Sequence, residues 1–407
     1  MAQQVESADD DGWAARFAEA QRADELVQPR YSSMSMISDP NGDGRRLVAL
    51  TPSEKAALDK DAEFPYARFK WVEADAETGA PTDSKMAMDA DLEVDPLADD
   101  PAAWALRCLG YEYGSETAGG ALKLRKCLDH SRGFEWKDQF NYDLVAVACA
   151  AYCKARLESL CGLVAAPLGD ATIWASPRDA GPEAPLVLLV CGSAPGGSAG
   201  VWGRSLCVNG TLDEGAMFDY VSRAEKDLGG NCVVLDPNVS ETRGCVVEGS
   251  ETSQNHVCSA YGQVVRPGDD RPVVIVAHSY GAAAVSYLFK TRPEARARVK
   301  AVAFTDGCAL CGTIFKEELP DEAAQPALHA KLSKIKEKAP EAFEADAAAA
   351  AALKQVARNF VASDRPLGEA VPGGDLDQVS AGHTSHPATT AAATDAVFAF
   401  LAERLAA

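Results

Sequence analysis

The pentapeptide AHSYG, residues 277–281, joins an aliphatic run, VVIVAHS, to the small helix formers of GAAAVSYLF. A serine hydroxyl becomes an acyl-transfer nucleophile when a sharp strand-to-helix turn exposes it and a base takes its proton. Small residues two before and two after the serine let strand and helix approach closely, and here they are Ala277 and Gly281 around Ser279. The Tyr280 N–H, at the start of the helix, would face the negative oxygen that such a reaction develops. A second donor is expected from the glycine-rich CGSAPGG after an earlier aliphatic run, through the N–H groups of Gly192 and Ser193.

The base must be a histidine and needs an acid to orient it, in the chain order serine, acid, histidine. Of six histidines only His383 and His386 come late enough, both in SAGHTSHPAT before a terminal helical stretch. His278 reads as a packed neighbour of the serine rather than a base. Two acids end strands beyond the serine, Asp306 in AFTDG and Asp364 in FVASDRPLG, and either position can serve. Both also fit plain structural roles, Asp306 as a loop cap and Asp364 as a turn residue. CALC, at Cys308 to Cys311, has metal-like spacing without a second pair nearby, so neither a metal nor any other cofactor is expected.

These residues need a scaffold. Aliphatic runs at PLVLLVCGS, NCVVLDPN, PVVIVAHS, VKAVAFTDG and RNFVASD alternate with helical stretches such as EGAMFDYVSRAEKDLGG and QNHVCSAYGQVV. YDLVAVACAAYCKARLESLCG reads as a buried helix stopped by Gly162, after two short β-like pieces. Strands apolar on both faces imply a mainly parallel sheet with helices on both sides. Function in such sheets gathers at the carboxyl ends of the strands, where Gly192, Asp236, Ser279, Asp306 and Asp364 all fall.

The 407 residues, 47% of them hydrophobic, suffice for one large domain and something more. The first hundred carry 23 acidic and 10 basic side chains, so most of the net −21 sits there. Residues 1–100 read as an acidic, loosely structured extension with one helix over 12–27 and one strand or hairpin arm in FPYARFKWVEA. Residues 101–407 read as the domain, with the boundary near Pro101. So acidic a chain offers no broad phosphate-binding surface, and nucleic acid would be met through a partner. The N-terminus lacks the basic and apolar regions of a secretory signal, and no apolar run approaches the ~18 residues of a membrane span. Twelve cysteines scattered without an export signal read as reduced and mostly buried.

Taken together, GVWGRSLCVNGTLDEGAMFDYVSRA, VVLDPN, VVIVAHSYGAAAVSYL, VKAVAFTDG, NFVASDRPLG and VSAGHTSHPAT resemble the Argonaute-binding-protein-two (Arb-two) domain family, over roughly residues 105–405. The resemblance implies an α/β-hydrolase-type fold, with the family's serine on Ser279, its strand-end aspartate on Asp306 and its late histidine on His386. Asp364 stands as the alternative acid. Two positions depart from ordinary hydrolase usage: Cys191 where a histidine usually precedes the glycine, and Ala282 where a second glycine usually follows the elbow. The resemblance also implies a regulatory protein acting with Argonaute or chromatin-associated partners in gene silencing or co-transcriptional regulation, in the nucleus rather than the cytoplasm. The alternative is an active serine hydrolase of a small ester, thioester or amide.

Overall fold

The computed structural model describes residues 101–307 and 340–407, short breaks apart, and the backbone of three strands before residue 101. The helix expected over 12–27, most of the acidic stretch before Pro101 and the CALC segment lie outside the described residues.

The chain forms two compact units. One comprises residues 1–156 with 204–212. Its strands β1 (Arg45–Ala49), β2 (Phe69–Ala74) and β3 (Pro81–Ala87) make an antiparallel sheet in that order. The expected arm in FPYARFKWVEA is β2, with a partner on each side. Strands β4 (Tyr111–Gly114) and β5 (Lys123–Lys126) pair antiparallel, and helix α1 follows at Gln139–Ser159. Gly162, at φ 68°, turns the chain out of that helix in a backbone conformation open to glycine at little cost.

The other unit, residues 157–203 with 213–407, holds an eight-stranded sheet. Its strands are β6 (Val164–Leu168), β7 (Ala171–Ala175), β8 (Leu186–Val190), β9 (Asn231–Val234), then β12 (Val273–His278), β13 (Val299–Thr305), β14 (Ala357–Val361) and β15 (Asp377–Ser380). A small hairpin, β10 (Glu241–Thr242) and β11 (Cys245–Val246), lies between β9 and β12 in the chain. Spatial order is β15-β14-β13-β12-β8-β9-β7-β6, and every neighbouring pair is parallel except the two that involve β7. Counted from β6 this is 1-2-4-3-5-6-7-8 with the second strand reversed, the α/β-hydrolase arrangement.

Alternation builds a core on each face. Val273, Ile275 and Ala277 of β12 join one with Leu186, Leu188 and Val190 of β8, while Val274, Val276, Val187 and Leu189 join the other. Helices α2 (Phe218–Lys226), α3 (Ser253–Val264), α4 (Gly281–Thr291), α5 (Pro340–Val356) and α6 (Thr394–Ala406) cover the sheet. Val257 and Tyr261 of α3, Leu288 and Phe289 of α4 and Leu353 of α5 fill the first core; Tyr220 and Val221 of α2 with Phe398 and Leu401 of α6 fill the second. The segment EGAMFDYVSRA is helical at both ends but interrupted: Ala216 bridges Val201 and the Met217 N–H bonds Gly200 O, so α2 starts only at Phe218. Strands β6, β7 and β15 are additions to the expected set. β6 carries Pro167, which an edge strand tolerates, and β15 (DQVS) is a four-residue edge with little apolar pattern.

Helix α4 meets β8 at Gly281, where an added Cβ would lie 2.6 Å from Cys191 O and 2.8 Å from Val190 O. Both are backbone atoms and neither can yield cheaply. Gly281→Ala should therefore lower stability by about 1–3 kcal/mol, read from its urea midpoint. The large sheet and both of its cores draw only on residues after 156. We propose on this basis that residues 101–407 fold without the first hundred, and a truncated chain that lacks a cooperative melt would move the boundary.

Candidate active site

Ser279 follows β12 directly, with φ 51°, and α4 begins two residues later. Its own N–H bonds Thr305 O at the end of β13, which fixes the turn against the neighbouring strand. Asp306 follows Thr305, one residue beyond β13, also at positive φ, 47°. Its N–H bonds Phe360 O, and its Oδ1 accepts the Ala362 N–H at 3.0 Å, so β14 holds the carboxylate in place. His386 opens a short 3-10 turn, His386–Ala388, rather than lying in an open loop. Its carbonyl accepts the Thr389 hydroxyl at 2.8 Å, and the next turn is anchored where Tyr220 OH donates to Thr390 O at 2.8 Å. Tyr220 is itself wedged between Trp202 and Phe398, with ring centroids 5.1 and 5.3 Å away. The segment GVWGRSLCVNGTLDEGAMFDYVSRA thus anchors the turn that follows the histidine.

These elements bring three side chains together. The His386 Nδ1–H donates to Asp306 Oδ2 at 2.6 Å, and Nε2 accepts from the Ser279 hydroxyl at 3.0 Å. His386 is about half exposed (48%) and Asp306 less so (23%), so the relay opens to solvent at the histidine. Asp364 is exposed, three residues beyond β14, with no bond to either late histidine. His383 instead accepts the Ser385 N–H at 2.9 Å on its Nδ1.

The opposite side of Ser279 is bounded by Gly192. An added Cβ there would lie 2.9 Å from Ser279 Cβ and 3.3 Å from His278 O, so the backbone after β8 rests against the serine. Among the described residues the N–H groups of Gly192, Ser193 and Tyr280 have no acceptor within the chain. Tyr280 turns its ring outward, where its hydroxyl accepts from Gln254 Nε2 at 2.9 Å. Cys191 is buried with its Sγ 2.9 Å from Ser198 Oγ, so it serves packing. Ala282 is matched across the helix by Gly307, where an added Cβ would meet the Ala282 Cβ at 2.8 Å. Gly307, just past the end of the facing strand, leaves the room that the Ala282 methyl takes.

Two residues escaped the sequence reading. Asn238, in the turn after β9, binds the chain after β8: its Nδ2 donates to Gly192 O at 2.7 Å and its Oδ1 accepts the Ala194 N–H at 3.1 Å. Its position two residues past the strand-end Asp236 was the available signal. His256 is buried on α3; its Nε2 accepts the Asp236 N–H at 3.2 Å while Nδ1–H donates to Ser250 Oγ at 2.8 Å. His278 is buried too, as its adjacency to an apolar strand implied. Its Nδ1–H donates to Thr305 O at 2.9 Å, and its ring lies 4.9 Å from that of His386.

Burial pushes both buried imidazoles down to about 4, with the nearby His386 adding to the effect at His278. A depressed histidine stays neutral in the fold while the unfolded chain takes up a proton near pH 6.5. Stability should therefore fall as pH drops from about 6.5 towards 4, by roughly 2 kcal/mol per histidine at pH 5. The urea midpoint of His256→Gln should fall less steeply than that of the parent over this range; equal slopes would refute the assignment. Cys149, Cys161, Cys207, Cys232 and Cys258 are free thiols, and burial raises Cys149, Cys232 and Cys258, with Cys161 at about 11. Such thiols are poor nucleophiles.

No protein-family model matches the chain. It is similar to the cotranscriptional regulator ARB2A homolog of Dictyostelium discoideum, 30% identical over 160 residues, or 30% of this chain and 41% of that protein. A FAM172 family protein homolog of Caenorhabditis elegans is 26% identical over 186 residues, 44% of this chain and 57% of that one. The matched regions thus span about half the length of these relatives. Among solved structures, DBJA covers 60% of this chain and 96% of its own at 14% identity and TM-score 0.35. An ancestral haloalkane dehalogenase, AncHLD2, covers 60% and 98% at 12% identity and the same TM-score. These two likenesses concern the fold alone. The resemblance read from the sequence holds: the chain is similar to Arb2-type proteins, and its sheet has the α/β-hydrolase order.

Proposed function

We propose that the chain is a serine hydrolase acting on a small ester, thioester or amide. The observation that carries this reading is the continuous relay Ser279–His386–Asp306, at 3.0 and 2.6 Å, on a strained elbow. Ser279 Oγ attacks the acyl carbonyl as its proton passes to His386 Nε2. Asp306 holds the imidazole in the tautomer that can accept it and stabilises the resulting imidazolium. The carbonyl oxygen becomes an oxyanion and takes hydrogen bonds from Tyr280 N–H and from Gly192 or Ser193 N–H. As the tetrahedral intermediate collapses, the acyl–heteroatom bond breaks and the imidazolium returns its proton to the departing alcohol, thiol or amine. Water then repeats the attack on the acyl-serine, with the same proton path, and releases the acid.

A second reading rests on the name of the Dictyostelium relative, a cotranscriptional regulator. Here the chain is a regulatory protein of the nucleus, working with chromatin-associated or Argonaute partners, and the elbow only supports the fold. Among the described residues no helix is long and apolar enough to cross a membrane, which is compatible with either reading.

The purified chain should label with a fluorophosphonate, and Ser279→Ala should abolish labelling with little change in melting temperature. Asp306→Asn should lower the labelling rate on the order of 10⁴-fold while the fold is kept. Labelling that survives Ser279→Ala would sink the hydrolase reading. If the parent never labels and Ser279→Ala keeps its partners in a nuclear pull-down, the regulatory reading stands alone.

A further inference from the structure

The turn Asp236-Pro237-Asn238 lies behind the candidate oxyanion side, and the acyl-transfer steps leave it unused. Every polar atom of the Asn238 amide is engaged. Nδ2 donates to Gly192 O at 2.7 Å and to Ser198 Oγ at 2.6 Å, with Cys191 Sγ 3.5 Å away; Oδ1 accepts the Ala194 N–H at 3.1 Å. The reversed amide would set two oxygens against each other at the Gly192 contact, so its orientation is fixed. Asp236 Oδ1 accepts the Ser198 N–H at 2.8 Å, which pins the far end of the same loop.

We infer that Asn238 is a positioning residue for the oxyanion donor, and that the donor it positions is the Ser193 N–H. This rests on the acyl-transfer reading above. In a trans peptide the C=O and the following N–H point in opposite directions. Gly192 O is held towards Asn238, so the Ser193 N–H, on the same peptide unit, points away from Asn238. That N–H has no acceptor in the chain among the described residues. The residue before it, Gly192, packs directly on Ser279. Without the Asn238 donor the Gly192 carbonyl loses that hydrogen bond, and rotation of the 192–193 peptide would replace a donor with a carbonyl oxygen.

Two full-length variants separate this role from a merely structural one. Asn238→Ala removes all the amide's bonds. Asn238→Asp keeps the shape and the acceptor for Ala194 N–H, but sets a carboxylate oxygen against Gly192 O. The readouts are the fluorophosphonate labelling rate, kcat and KM on p-nitrophenyl acetate, and hydrogen exchange at the Ala194 amide. Both variants should lose on the order of 100-fold in labelling rate and kcat, the scale of one oxyanion donor, with KM within about twofold. Ala194 exchange should quicken at least tenfold in Asn238→Ala and stay near the parent's in Asn238→Asp. Parental labelling and kcat in Asn238→Asp would overturn the inference. So would Ala194 exchange in Asn238→Ala that matches the parent, even if no form of the protein reacts. A parent that neither labels nor turns over, with Ala194 exchange responding as expected, overturns the acyl-transfer reading and the donor role with it, leaving Asn238 as a loop staple. If Asn238→Ala does not fold, the kinetics of Asn238→Asp decide.

Discussion

The close approach of helix α4 to strand β8 is the constraint on which the rest of the site depends. Gly281 leaves no room for a Cβ against the carbonyls of Val190 and Cys191, so the helix can start only where it does. With that contact set, the chain has a single residue, Tyr280, between Ser279 and the first helical position. The turn must be tight, and Ser279 takes up positive φ to make it. The same contact brings the residues after β8 against the serine, where Gly192 in turn admits no side chain. Two glycines on two elements therefore determine where one hydroxyl sits.

Volume is exchanged around this point in a way that explains the departures from ordinary hydrolase usage. Ala282 adds a methyl where a glycine usually stands, and Gly307 gives the space back. Asn359, on β14, then holds Gly307 by accepting its N–H at 3.0 Å. Gly307 follows Asp306, so the accommodation of Ala282 and the placement of the carboxylate are parts of one turn. Cys191 fills its site as a small buried group beside Ser198.

The central strands were legible because burial on both faces leaves mostly apolar residues in β8, β9, β12 and β13. The edge strands were not, since β15 needs only half its residues buried and β6 can keep a proline. Residue types fixed the serine and narrowed the bases to two, but the choice between Asp306 and Asp364 is a matter of reach. Asp306 sits immediately at a strand end with its backbone tied to β14, whereas Asp364 lies beyond the strand in solvent. Asn238 was hidden for another reason. Its work is done on the backbone of a distant segment, which leaves no pattern in a sequence beyond its place two residues past a strand end.

Strain bears on what the site is for. Among the described residues twelve glycines have positive φ, and only two other residues do, Ser279 and Asp306. A side chain held in that region costs on the order of 1–3 kcal/mol, most of which glycine would avoid. Among the described residues that cost is accepted at two places only, and the two side chains flank one imidazole. The His278 ring, 4.9 Å from that imidazole and tilted against it, is buried and held neutral, so it presents no charge to it. A scaffold with no use for the hydroxyl and the carboxylate would be more stable with glycine at both positions. The placement of strain thus favours side chains that are used over side chains that are inherited.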